Sequence, residues 1–256
     1  LAASGLLDVQ HPERSAFQLQ ADLTDANFAS GEYRLPVASL ILDATLSNMV
    51  ASTRQVDIQT LSGMVRLLNV EMNFGEPGRP LQTEWLIEGV QLLEALRAGA
   101  TEDPTMAGLV TGSGSVRLDL DAPSETAHGS GFLQIREGRL ARVPILSDVL
   151  RAGDFLSRLG NDDSYADRLD AEFTIQPGGL SIESLELMLP VAKFSGSGMI
   201  GFSGEIDLRM RGGAVERIPV IGHIVGAVTG RLVEYRVTRQ PGEDTRVRVN
   251  PLGIGD

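Results

Sequence analysis

Leu169-Asp170-Ala171-Glu172-Phe173-Thr174-Ile175-Gln176-Pro177-Gly178-Gly179-Leu180-Ser181-Ile182 decides the fold class. Leu169, Ala171, Phe173 and Ile175 alternate with Asp170, Glu172, Thr174 and Gln176. Side chains of an extended strand point to opposite faces with a period of two, so this is a strand buried on one face only. Pro177-Gly178-Gly179 turns the chain, and Leu180 and Ile182 begin a returning strand. Its phase slips near Glu183-Ser184 before Leu185, Leu187 and Leu189 resume the alternation. A β-bulge, which sets two residues of one strand against one of its neighbour, produces such a slip.

The same pattern extends in both directions. Phe17, Leu19, Ala21 and Leu23 alternate with Gln18, Gln20 and Asp22. Leu40 to Leu46 and Arg54 to Gln59 read as strands, and Leu68, Val70, Met72 and Phe74 alternate with Asn69, Glu71 and Asn73. Thr83, Trp85 and Ile87 share one face of the next strand, and Val116, Leu118 and Leu120 continue the series. Ile206, Leu208 and Met210, then Val233, Tyr235 and Val237, then Val247 and Val249 complete it. Turns are expected over Asp25 to Pro36, at Gly75-Glu76-Pro77-Gly78 and at Gln240-Pro241-Gly242-Glu243, and the segment Gly129 to Leu140 carries a tight-hairpin signature. Helical spacing is confined to three segments: Val90 to Arg97, Val143 to Leu159 and the apolar run Ile218 to Val228. Sheets covered on both faces by helices would show continuous apolar runs instead. The pattern therefore predicts a mainly β protein of antiparallel strands, as an open sheet, sandwich or barrel. A polar break at Thr101 to Pro104 divides it into residues 1–104 and 105–256, with the sheet continuing across.

Composition excludes several chemistries. The 256 residues carry a formal net charge of -12, which opposes nucleic-acid binding and broad docking on anionic lipid. Lys193 is the sole lysine and precedes Phe194, so no phosphate-binding Gly-Lys-Ser/Thr loop exists. No cysteine is present, which removes thiolate nucleophiles and thiolate metal sites. His11, His128 and His223 form no metal-binding or triad pattern, and His223 reads as a packed or capping residue. Asp162-Asp163 fits no calcium loop. Gly-Ser-Gly recurs at 112–114, 129–131 and 196–198, where small residues ease close strand approach. No cofactor or metal is expected. No apolar run reaches 18 residues, so no bilayer-spanning helix is expected, and the start at Leu1 suggests a piece of a longer protein.

Four segments, in order and spacing, resemble the C-terminal region of the AsmA-like proteins of Gram-negative envelopes, the AsmA, TamB and YhdP type. They are Gly129-Ser-Gly-Phe-Leu-Gln-Ile-Arg-Glu-Gly138 with Val143-Pro144-Ile145-Leu146, the strand pair around Pro177-Gly178-Gly179, Gly196-Ser-Gly198 through Leu208, and Ile218-Pro219-Val220-Ile221-Gly222 with the closing strands to Pro251. The resemblance runs from about Thr111 to Pro251. It implies an elongated, curled antiparallel sheet forming a β-groove with two or three short amphipathic helices. It further implies a non-enzymatic periplasmic protein, anchored to the inner membrane through a segment missing from this chain. Such a protein conducts phospholipid between inner and outer membranes and supports outer-membrane biogenesis.

On that reading, phospholipid acyl chains are the expected partners, with a membrane surface and other envelope proteins as further candidates. The candidate groove residues are Leu169, Phe173, Ile175, Leu187, Phe194, Phe202, Val233 and Tyr235. Ile145, Leu146, Phe155, Ile218, Val220 and Ile221 would either plug the end of the groove or touch a membrane. The alternative is an assembly module whose apolar face is filled and which binds another envelope protein. An open apolar face supports the first, and a dry, filled core the second.

Overall fold

The computed structural model describes residues 2–6, 8, 10–11, 14–30, 33–99, 107–139, 167–189, 192–220, 223–228 and 233–251. The chain is mainly β. Its strands are β1 (Ala2–Leu6), β2 (Ala16–Ser30), β3 (Tyr33–Ser47), β4 (Val50–Thr60), β5 (Gly63–Asn73), β6 (Pro80–Gln91), β7 (Ala107–Asp119), β8 (His128–Arg139), β9 (Asp167–Gln176), β10 (Gly179–Met188), β11 (Ala192–Gly201), β12 (Ile206–Val220), β13 (His223–Val228), β14 (Val233–Arg239) and β15 (Arg246–Pro251). Among the described residues two short helices accompany them, α1 (Leu92–Ala98) and α2 (Pro123–Thr126). Hydrogen-bonded neighbours follow chain order from β1 to β12, then β14 and β15, while β13 pairs β12. The described ladders are antiparallel, and the sheet is open.

Contacts divide the chain into two units. The first comprises Leu1–Pro104, Leu109–Phe132 and Ile175–Gly178, and the second Thr105–Gly108, Leu133–Thr174 and Gly179–Asp256. The chain thus passes from the first unit to the second, returns to the first and leaves it again.

In the first unit, two hairpins close on two-residue turns with both central residues at positive φ: Asn48 (52°) and Met49 (64°), then Leu61 (51°) and Ser62 (57°). That geometry matches the right-handed twist of the strands. Leucine and methionine adopt it at a cost, which neighbouring contacts offset. Gln91 N–H donates to Leu61 O at 2.9 Å, and Ser62 Oγ donates to the Glu94 carboxylate of α1 at 2.9 Å. Leu92, Leu93 and Leu96 of α1 are half-buried, as its amphipathic spacing requires. At the bulge between Leu68 and Glu71, buried Thr83 donates its hydroxyl to Leu68 O at 3.0 Å. Gly114 of the first Gly-Ser-Gly lies opposite Trp85, and a Cβ there would sit 2.6 Å from Trp85 Cζ2 and against Ser130 O. The glycine lets the indole lie across the neighbouring strand.

The second unit contains the bulge expected at Glu183-Ser184, as a register shift between Ile182 and Leu185. Here Gly212 lies opposite Phe194, whose ring fills the space a Cβ would take. Pro177-Gly178, which belongs to the first unit, turns between β9 and β10 with Gly178 at φ 85°.

Three local expectations are corrected. Asp25 to Pro36 is not mainly turn: β2 runs on to Ser30 and β3 starts at Tyr33, with Asp25 absorbing a kink at φ 52°. Gly129 to Leu140 is no hairpin, because its glycines lie within the single strand β8. The described residues of the segment Ile218 to Val228 are strand, not helix. Ile218–Val220 end β12 and pair with β13 in the register Pro219↔Ile224 and Val220↔His223. Ile218, Val220, Ile224 and Val225 are β-branched and favour the pleated backbone over the helix. The helix expected over Val143 to Leu159 lies outside the described residues. Among the described residues no helix is long and apolar enough to cross a membrane.

Candidate functional site: an open apolar sheet face

Strand register assembles the apolar residues of the first unit into three cross-strand rows. One row runs Ala21, Leu42, Val56, Leu67, Trp85 and Gly114 from β2 to β7. A second runs Leu23, Leu40, Ile58, Val65, Ile87 and Gly112, and a third Phe17, Leu46, Ala51, Met72, Leu81 and Leu118. Register shifts after Leu42 and Leu68 let all three rows share one face, because each bulge restores the phase that a spacing of five would lose. Neighbouring strands lie about 4.8 Å apart, so a row crosses about 24 Å of apolar surface. Half the hydrocarbon core of a bilayer is about 15 Å, roughly the reach of one acyl chain.

Burial separates the two units. In the first, the buried apolar residues are Ala21, Val37, Val56, Val90, Val110 and Ala127. Among the described residues of that unit, every Leu, Ile, Met, Phe and Trp keeps part of its surface exposed. Leu42, Leu67, Trp85 and Ile87 are all half-buried. In the second unit Leu187 and Tyr235 are 0% exposed and Phe194 and Met210 1%. The Phe194 and Tyr235 rings meet edge-on with centroids 5.8 Å apart. The described residues of the second unit are packed like a protein interior, whereas the large apolar side chains of the first unit's rows are only half-buried.

The opposite face of the first unit carries paired polar groups beside the exposed Ile41. Arg66 Nε donates to Asp57 Oδ1 at 2.8 Å and Gln55 Nε2 to Asp57 Oδ2 at 2.7 Å. The Arg66 hydrogen bond holds the Asp57 carboxyl below its ordinary range, against the opposing effect of its partial burial. Thr45 and Ser52 hydroxyls hydrogen-bond at 3.1 Å, and Gln18 Nε2 reaches Asp43 Oδ1 at 3.4 Å. Among the described residues no three His, Asp or Glu side chains converge as a metal site. The surface has apolar area to offer a ligand.

The residues expected to line a groove fall in different surroundings. Leu187 pairs with Phe194, which pairs with Gly212 and so leads to Val233, while Tyr235 lies in the next row opposite Met210. Leu187, Phe194 and Tyr235 are interior, so no ligand reaches them without opening the second unit. Leu169, Phe173, Ile175 and Val233 are half-buried, and Phe202 sits exposed in the turn after β11. Ile218 and Val220 belong to β12, whereas Ile145, Leu146, Phe155 and Ile221 lie outside the described residues, as do Asp162 and Asp163. The candidates were drawn from the second half and the three apolar rows lie in the first, because alternation looks the same over a filled core and an open face. The available signal was size: β2 to β6 face each other with long aliphatic side chains, with no aromatic cluster to close over them.

No family model, curated protein or solved structure matches the chain.

Proposed function

We propose that this chain is a non-enzymatic lipid-binding protein of the bacterial envelope. The apolar face of its first unit holds phospholipid acyl chains during passage between inner and outer membranes. The observation that carries the reading is the set of three apolar rows across β2 to β7 whose large side chains remain half-exposed. Burial of hydrocarbon yields about 0.8 kcal/mol per methylene, so ten methylenes laid on this face gain about 8 kcal/mol before ordering costs. Because the rows repeat from strand to strand, a chain can shift along them without losing contact. The AsmA-like resemblance of the second half supports the envelope setting, the periplasm and a role in outer-membrane biogenesis. The packed interior of the second unit favours, for that unit, the alternative role of a structural or assembly module.

The test is native mass spectrometry and lipid extraction of the purified protein. Wild type carries phospholipid, and Leu42→Asp with Leu67→Asp loses it, while Thr45→Asp on the polar face does not. A protein that is lipid-free under all conditions, or whose lipid survives the Leu42 and Leu67 substitutions, overturns the proposal.

A further inference from the structure

The polar face of β12, β14 and β15 carries an arrangement that sheet stability disfavours. Arg209 lies directly opposite Arg236, and Arg236 directly opposite Arg248. All three are exposed. Like charges at opposed positions of neighbouring strands are destabilising. The middle arginine is neutralised: Arg236 Nη2 donates to Asp207 Oδ2 at 2.9 Å and Arg236 Nε to Asp207 Oδ1 at 3.1 Å. The outer two form no such ion pair among the described residues, although the charge of Arg209 also acts on Asp207. Among the described residues, no carboxylate lies within 4 Å of Arg209 or Arg248, although Arg211 pairs with Glu234 at 3.2 Å and Arg246 with Glu243 at 3.1 Å. Arg248 lines a cleft of about 280 Å³ at the β14–β15 hairpin, together with Arg236, Thr238, Arg239, Arg246, Glu243 and Asp244. Arg239 Nε is enclosed there without a hydrogen-bond partner.

A chain with 34 acidic and 22 basic residues thus places seven arginines on three adjacent strands, and among the described residues two of them, Arg209 and Arg248, have no carboxylate within 4 Å. We propose that this arginine face is an oxyanion-binding site for a phosphate group, borne by an anionic phospholipid headgroup or a soluble phosphate ester. Guanidinium groups match phosphate with paired N–H donors, and opposed strand positions bring several of them to one anion. A phosphate bound beside Arg248 supplies it with the counter-charge that Asp207 already gives Arg236. The site lies in the second unit, and the inference does not depend on the lipid reading of the first.

The experiment compares wild type, Arg209→Gln/Arg248→Gln and a charge-matched control, Arg34→Gln/Arg54→Gln, whose two arginines are exposed in the first unit. Inorganic phosphate and glycerol phosphate are titrated by calorimetry. Flotation is measured with phosphatidylglycerol and with phosphatidylcholine vesicles at two salt concentrations. Circular dichroism confirms that each variant folds. Each basic residue near an anionic surface contributes about 1 kcal/mol, so the site variant should bind phosphatidylglycerol vesicles about thirtyfold more weakly, and the control as wild type. Salt-sensitive binding to phosphatidylglycerol alone assigns a headgroup, and binding of the soluble phosphates assigns a phosphate ester; loss in the site variant supports the proposal in either case. Absence of binding in both arms, or equal loss in the control, overturns it.

Discussion

The contrast in burial makes a quantitative demand on stability. Leu67 and Leu187 are both strand leucines on apolar faces, and each is replaced by alanine. Leu187 is 0% exposed, pairs with Phe194 and lies in a packed interior. Removing its isobutyl tip forfeits transfer free energy and leaves a cavity, at about 2–5 kcal/mol for such a change. Leu67 is half-buried between Val56 and Trp85 on the open face. About half the transfer term is available to lose there, and solvent fills the gap, so the expected cost is about 1 kcal/mol. Urea unfolding checks this with two probes. Trp85 is the sole tryptophan and lies in the first unit, so its fluorescence follows that unit, while far-UV circular dichroism follows all strands. The Leu187 variant should lose at least twice the free energy of the Leu67 variant without any change in Trp85 accessibility in the folded state. If Leu67→Ala costs as much as Leu187→Ala, the face is closed, and the argument for acyl-chain binding fails with it.

Met49 occupies a left-handed position beside Asn48 in the β3–β4 turn, and Met49→Gly creates the Asn-Gly pair that such turns favour. Its thermal midpoint should rise by a few degrees, corresponding to about 1 kcal/mol, in differential scanning calorimetry. Tyr235 is buried with its hydroxyl unpaired, so Tyr235→Phe removes an unsatisfied group and should stabilise by about 1 kcal/mol. Burial also pushes the Tyr235 phenol above its ordinary 10.0. The folded state therefore holds a proton that the unfolded state releases, and stability that is complete below about pH 10 falls as pH rises through the folded value. Alkaline unfolding curves should be shallower for Tyr235→Phe than for wild type, and a destabilised variant would mean that the hydroxyl has a partner.

Most of the fold was legible because a one-face strand writes its period directly into the sequence. Asp170, Glu172 and Thr174 against Ala171, Phe173 and Ile175 leave no other reading, and the slip at Glu183-Ser184 marked a bulge that the register shift between Ile182 and Leu185 bears out. The helix at Val90 to Arg97 was found to within two residues, as α1 (Leu92–Ala98). The misreadings share one cause. At Ile218 to Val228 a run of apolar residues without polar alternation suits a strand or a helix equally by period, and β-branching should have decided it. At Asp25 the turn-forming residues were real, but a long antiparallel ladder absorbed them: Thr24 pairs with Ser39 and Ala26 with Val37, with Asp25 between.

The site was less legible, because exposure depends on what lies above a face and not on the face itself. Leu67 and Leu187 have the same chemistry and the same strand setting, and nothing in their flanking residues separates them. Glycines opposite aromatics come closest to a written signal. Gly212 admits the Phe194 ring, and Phe194 then meets Tyr235 edge-on, so that pocket fills from within its own sheet. Gly114 admits the Trp85 indole in the same way, but Trp85 is the only aromatic residue of its row, and the large neighbours along that row are aliphatic. The indole remains half-buried, and the surface beside it stays accessible. An aromatic partner supplied by the chain closes a face, while an aliphatic row leaves it open. Introducing Phe at Leu67, beside Trp85, should therefore shield the indole from acrylamide quenching and displace bound lipid in the same variant.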